Sequence, residues 1–209
     1  MAASRARRYE SPLRQAMAAR TRQVILEVAT RSFIERGWEG TSMRDIAREA
    51  GCSVETVYFS VGNKTALLKT VLDVAVVGGD AAVALDERPW YSVGEGPLVE
   101  RAAALADMTG AIYRRTAELR RVLGIAAQTG AELRELDAKV RADERISLNS
   151  LVSAAARRPL TDHEADSLQS VFGNEIYRLL TTVTGWSHEQ YRQWAAEAIV
   201  RLLDLHEQW

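Results

Sequence analysis

Between residues 42 and 64 the chain carries a run of side chains that can donate hydrogen bonds to oxyanions: Ser42, Arg44, Ser53, Thr56, Tyr58 and Lys64. Hydroxyls mixed with a guanidinium and an ammonium suit contact with the phosphates of a polynucleotide backbone. Interleaved with them, Val54, Glu55 and Phe59 can touch base edges, the apolar pair against a thymine methyl and the carboxylate against cytosine N4. Arg44 can reach a phosphate or a guanine edge.

Other chemistries find less support. Cys52 is the only cysteine and has no histidine near it in sequence, so a buried thiol is expected rather than a nucleophile. One thiol and three scattered histidines, His163, His188 and His206, cannot complete an ordinary structural zinc site. Asp162, His163 and Glu164 are consecutive, point apart on a helix, and suit the acid-favouring first turn instead. Gly78-Gly79 lacks the residues that follow in either nucleotide-binding glycine motif. No catalytic residue, metal ligand or cofactor is expected.

The elements that must position the first group are short helices. Val24, Ile25, Val28, Ala29, Ser32 and Phe33 form a helical stripe from about residue 20, stopped by Gly37. Ser42 can cap a second helix over 43–50, with Asp45 in its first turn. Gly51 ends that helix, and Ser53 can cap a third over 54–61. Two short helices joined by a glycine turn make a helix-turn-helix. Val54, Val57, Tyr58 and Val61 also fall at the spacing of a buried stripe, which leaves Val54 open between base contact and core. A longer helix is expected over 64–85, a loop over 86–96, and further helices over 97–116, 117–130, 131–156, 161–183 and 187–207. Capping boxes are expected at Thr161 with Glu164 and at Ser187 with Gln190.

Composition agrees with an all-α fold. The 209 residues are 47% hydrophobic, with 13 Gly and only 4 Pro, too little turn punctuation for a β sandwich or barrel. The first 72 residues carry 12 Lys and Arg against 7 Asp and Glu, and the remainder 15 against 21, so a basic third precedes an acidic body. That asymmetry suits a nucleic-acid module joined to a non-binding body. No export signal or membrane span is evident, and a reducing, cytoplasmic setting is expected. Residues 1–19 read as a flexible basic arm in which Pro12 interrupts any early helix. Its Arg5, Arg7 and Arg8 are open between solvation and contact with an adjacent minor groove. The domains expected are therefore 1–19, 20–70 and 71–209.

The stretch TSMRDIAREAGCSVETVYFSVGNKTALL, residues 41–68, resembles the DNA-binding signature of the tetracycline-repressor (TetR) family of bacterial transcription regulators. Met43-Arg44-Asp45-Ile46-Ala47, Ala50-Gly51, Ser53, Thr56-Val57-Tyr58, Lys64 and Leu67 match its pattern without gaps. Two positions and one composition feature depart from it: Ser60 stands where an aromatic or His is usual, Val61 where a Phe is usual, and the third helix has no Lys or Arg. The resemblance implies an N-terminal three-helix DNA-binding domain and a C-terminal helical domain for effector binding and dimerisation. It also implies that effector occupancy shifts the fourth helix and weakens operator binding, a coupling of order 1–3 kcal/mol.

The expected partners are a palindromic double-stranded DNA operator, an unidentified small-molecule effector and a second copy of the chain. Two reading helices would lie roughly 34–36 Å apart. For the dimer interface the candidates are Leu168, Ile176, Leu179, Tyr191, Trp194, Ala198, Ile199 and Leu202, which also suit intrachain core. For the effector pocket they are Trp90, Tyr91, Leu105, Met108, Thr109, Ile112, Tyr113, Ile125, Gln128 and Phe172, again compatible with ordinary core. The alternative function is a helical ligand-binding or adaptor protein that keeps the helix-turn-helix shape without operator binding.

Overall fold

The computed structural model describes residues 12–78 and 95–204, and among them every regular element is helical. In chain order these are α1 (Pro12–Arg36), α2 (Met43–Glu49), α3 (Val54–Val61), α4 (Lys64–Val77), α5 (Leu98–Ala126) and α6 (Ala131–Ala156). There follow α7 (Asp162–Val171), α8 (Asn174–Arg178), a π-helical turn (Leu179–Val183) and α9 (His188–Asp204). The chain divides between Thr70 and Val71 into two compact units.

In the first unit α1 to α3 and the first turns of α4 enclose a core of Ile25, Phe33, Ile46, Val57, Leu67 and Leu68, all fully buried. Here α1 begins at Pro12, earlier than the expected start near residue 20. Proline at the first helical position loses no hydrogen bond, and the following Leu, Arg, Gln, Ala and Met are strong helix formers, so Pro12 starts the helix instead of interrupting it. Arg36 and Arg31 both pair with Glu49, at 2.9 and 3.6 Å, tying α2 to α1. Across the unit, Arg22 of α1 donates to the Ser60 carbonyl at the end of α3.

In the second unit α5 packs along α9, flanked by α6 and α8. Leu105, Leu168, Tyr191 and Ile199 lie at the centre of its core. Tyr177 and Tyr191 meet edge-to-face at 4.8 Å, and Trp194 stands 5.8 Å from Tyr191, a geometry that adds to area burial.

Three more expected boundaries move. The helix expected over 64–85 stops at Val77, where Gly78 takes φ 79. The helix break between 116 and 117 does not occur, because Thr116 turns its hydroxyl back to the Ile112 carbonyl (2.9 Å) and to Asn174 Oδ1 (2.6 Å) rather than forward as a cap. Conversely, the continuous helix expected over 161–183 is interrupted: Phe172 is extended and Gly173 takes φ 140, a conformation costly for any residue with a Cβ. Both expected capping boxes form. Glu164 accepts from Thr161 N at 2.8 Å while its own N–H donates to Thr161 Oγ1, and Ser187 and Gln190 exchange the equivalent pair. Glu164 is fully buried and also accepts both Arg158 Nη groups, at 3.0 and 2.6 Å. The Arg158 guanidinium holds its carboxyl down at about 2, against the opposing effect of burial, with the Thr161 bonds adding to the shift.

Candidate functional site

Local capping sets the geometry of the first unit's surface. Ser42 Oγ accepts from Asp45 N (3.1 Å) and donates to Asp45 Oδ2 (2.6 Å), so α2 starts on a closed hydroxyl–carboxylate pair. That bond, more than the nearby Arg48, keeps the Asp45 carboxyl below its usual range. At the far end, Gly51 takes φ 68, and Cys52 N donates to the Ala47 carbonyl across the turn. Ser53 Oγ then accepts from Thr56 N at 3.2 Å and lies 3.0 Å from Thr56 Oγ1, which starts α3 where expected.

The buried side of α3 is Val57 and Val61; Val54 is half-buried. Its outer side carries Glu55, Tyr58 at 51% exposure and Phe59 at 96%. An almost fully exposed phenylalanine on an eight-residue helix is unusual for a water-facing surface and suits contact with an apolar edge. Glu55 is held ionised by hydrogen bonding to its own backbone N–H and to the Ser53 hydroxyl, so it acts as an acceptor. Arg44 is exposed on α2.

Lys64 departs from a simple phosphate contact. Its ammonium donates to the Trp38 carbonyl and stands 4.2 Å from the Trp38 ring centroid, a cation–π contact. Burial lowers its pKa, with Glu39 opposing. The spacing of 26 residues between Trp38 and Lys64 holds no periodic signal, which is why sequence reasoning missed Trp38. Of the arm, Arg5, Arg7 and Arg8 lie outside the described residues.

These features, two serine-capped helices about a left-handed glycine and a basic side chain opening α4, coincide with a known sequence family. The family model described as bacterial regulatory proteins, tetR family, matches residues 25–71. Over that stretch the first unit is similar to the DNA-binding domain of the TetR family. The fold of the TetR-like chain as a whole is shared with solved structures. One is a protein assigned to the TetR family of transcriptional regulators from Rhodococcus sp., 20% identical with a TM-score of 0.64, the match covering 88% of this chain and 99% of that one. A second such protein, from Mesorhizobium loti, is 20% identical with a TM-score of 0.64 over 94% and 98% of the two chains. A third is NalD, the secondary repressor of the MexAB-OprM multidrug efflux pump in Pseudomonas aeruginosa, at 20% identity and a TM-score of 0.62 over 89% and 96%. Among curated proteins no match is found.

In the second unit of this TetR-like chain an open cavity of about 780 Å3 is bordered by α5 from Ala117 to Ile125, by Arg141 and Glu144 of α6, and by residues from Gln169 to Leu179. Arg120, Arg121, Arg141 and Arg178 bring four guanidiniums to its wall. Arg120 is only 6% exposed; its Nη1 donates to Asp137 Oδ1 at 3.0 Å. Arg141 bridges Asp137 Oδ2 and Glu175 Oε1, each at 3.0 Å. Burial works against the charged form of Asp137, but hydrogen bonds from Arg141 and Arg120 outweigh it and lower its pKa. For Glu144 burial wins over the same arginines, and its pKa is raised.

Of the ten pocket candidates, Ile125 and Phe172 border this cavity. Leu105, Met108, Thr109 and Tyr113 are instead buried in the packed core, Ile112 packs against it, and Gln128 is exposed away from the cavity. Trp90 and Tyr91 lie outside the described residues. Among the interface candidates, Leu168, Tyr191 and Ile199 are spent within their own unit, where burial leaves no surface for a partner. Ile176, Trp194, Ala198 and Leu202 are half-buried, and Leu179 is exposed. Apolar periodicity does not mark the arginines of this cavity. The available signal was Arg120 inside the buried α5 stripe of Thr116, Leu119 and Leu123, where a cation has to find partners.

Among the described residues no helix is long and apolar enough to cross a membrane, and no group of three or more His, Cys, Asp or Glu is placed to hold a metal.

Proposed function

We propose that this chain is a ligand-responsive transcription regulator that binds a palindromic DNA operator as a homodimer through α3 and leaves it when a small-molecule effector occupies the second unit. The observation that carries the reading is the outer face of α3: Glu55, Tyr58 and Phe59 are uncovered on a helix fixed at both ends by its serine cap and by Arg22. Ser42, Ser53 and Thr56 spend their hydroxyls on caps, so their part in DNA contact is to orient backbone N–H groups toward phosphate. Tyr58 and Arg44 supply side-chain contacts to the backbone, and Phe59 supplies apolar contact with thymine methyl groups. The description of NalD as a repressor supports negative control. Exposed Leu179 and Val183 support association of two copies along the last helices.

Binding of the full chain to its own upstream DNA, measured by fluorescence anisotropy over a salt series, tests this. Tyr58→Phe and Arg44→Ala are expected to weaken binding to all sequences alike, and Phe59→Ala to weaken the operator more than random DNA, by about 1–3 kcal/mol. The absence of any Lys or Arg on α3 favours a second reading, a ligand-binding or adaptor protein that does not engage DNA. A folded dimer with no salt-dependent DNA affinity would establish that reading instead.

A further inference from the structure

We infer that the arginine-walled cavity of the second unit takes a small organic carboxylate with an apolar body, its head held by Arg178. The inference deepens the effector reading above and rests on it for its regulatory meaning, though not for the binding itself.

Four arginines and two glutamates, Glu144 and Glu175, line this cavity, and Arg121 pairs with Glu118 at 2.8 Å. Arg120 Nε is buried without a hydrogen bond; Glu144 Oε1 lies 2.9 Å away but outside hydrogen-bond alignment. That same Glu144 oxygen already accepts from Asn174 Nδ2 at 2.9 Å, and Asn174 Oδ1 is taken by Thr116. Glu144 is a poor counter-charge, since burial disfavours its ionised form. Glu175 is 76% exposed, so water screens its pairing with Arg141. Arg178 lines the cavity half-buried and makes no ion pair among the described residues.

An uncharged apolar guest would leave Arg178 without a counter-charge, and a cation would face a wall of four guanidiniums. A planar oxyanion answers the guanidinium fork with two parallel bonds. The rest of the guest is set by Ile125 and Phe172, which give the wall an apolar stretch beside the charges. The volume of about 780 Å3 lies in the ordinary range for small organic ligands and exceeds what an inorganic ion fills.

The test uses the full chain, with octanoate and 2-naphthoate as probes, octanamide as the uncharged counterpart and inorganic phosphate as the purely ionic one. Binding is read by calorimetry and by tryptophan emission, since Trp194 stands 5.9 Å from Phe172 on the wall. Saturable binding of a carboxylate probe, at least about tenfold tighter than octanamide, is expected. Arg178→Gln should lose about tenfold while Arg134→Gln, on the exposed side of α6, loses nothing. No saturable binding of either carboxylate up to about 10 mM, equal binding of octanamide or phosphate, or an unchanged Arg178→Gln would overturn the assignment. Carboxylate binding that leaves DNA affinity untouched would keep this site and count against the effector reading. DNA release by another compound, undiminished in Arg178→Gln, would keep that reading and remove this site.

Discussion

The two units build their sites in opposite ways. In the first, the groups proposed to meet DNA lie within 23 consecutive residues, 42–64, and local caps hold them. Ser42 bonds three residues ahead, Ser53 does the same, and Gly51 turns the chain between them. In the second, the cavity wall draws Arg120 from α5, Arg141 from α6 and Arg178 from α8; Arg120 is held by Asp137 and Glu144 of α6, and Arg141 by Asp137 one turn back and by Glu175 of α8. A surface organised by short-range hydrogen bonds tolerates loss of one bond in proportion to that bond. A buried charge network resists loss until one member is gone, and then leaves an uncompensated ion.

The contrast predicts an order of effects. Arg120→Met should be the most damaging single change, since it strands Asp137 and Glu144 in a half-dry site. A loss of about 3–5 kcal/mol in urea-unfolding free energy is expected, and a loss below about 1 kcal/mol would place this network with the tolerant local caps.

Next comes Glu164, the buried acid of the α7 capping box. Its carboxyl titrates at about 2 in the folded chain against 4.5 ordinarily, so the unfolded chain binds a proton first as pH falls. The stability it contributes is complete above about 4.5 and fades as pH drops toward about 2. Glu164→Gln should therefore cost about 2 kcal/mol near pH 7, with the gap to the parent narrowing at about pH 3. A gap that stays constant with pH would show that packing, not charge, is what the substitution removes.

Ser53→Ala, which uncaps α3, should cost about 1 kcal/mol of stability and weaken DNA binding uniformly. A null effect on either would erase the local side of the comparison. The smallest change is Lys64→Met. Losing the cation over Trp38 should cost about 0.5–1 kcal/mol, and the slope of DNA affinity against salt should fall by about one ion if the ammonium also reaches phosphate. An unchanged slope would confine Lys64 to holding α4 against Trp38.

Legibility followed the same division. The bounds of α3, both capping boxes and the turn at Gly51 were readable because each depends on residues within a few positions. The early start of α1 at Pro12 was misread because proline disfavours a helix interior but not its first turn. For α5 the expected break after residue 116 is absent; Thr116 bonds back to Ile112 and across to the buried Asn174, a contact from another helix that local pattern does not record. The pocket candidates met the same ambiguity. Leu105, Met108 and Tyr113 show the periodicity of a buried face, and periodicity says that a side chain is covered without saying whether protein or a guest covers it.

What the amino-acid order determined by itself, then, is the all-helical class, the capped pair of helices around Gly51 and the groups they present, because backbone capping and helical period act over one or two turns. Which arginines meet around a cavity, which tyrosines fill the core instead of lining a pocket, and that Lys64 rests on Trp38 were decided only by the tertiary structure. Those outcomes depend on through-space distances between residues tens of positions apart, and local propensity carries no record of them.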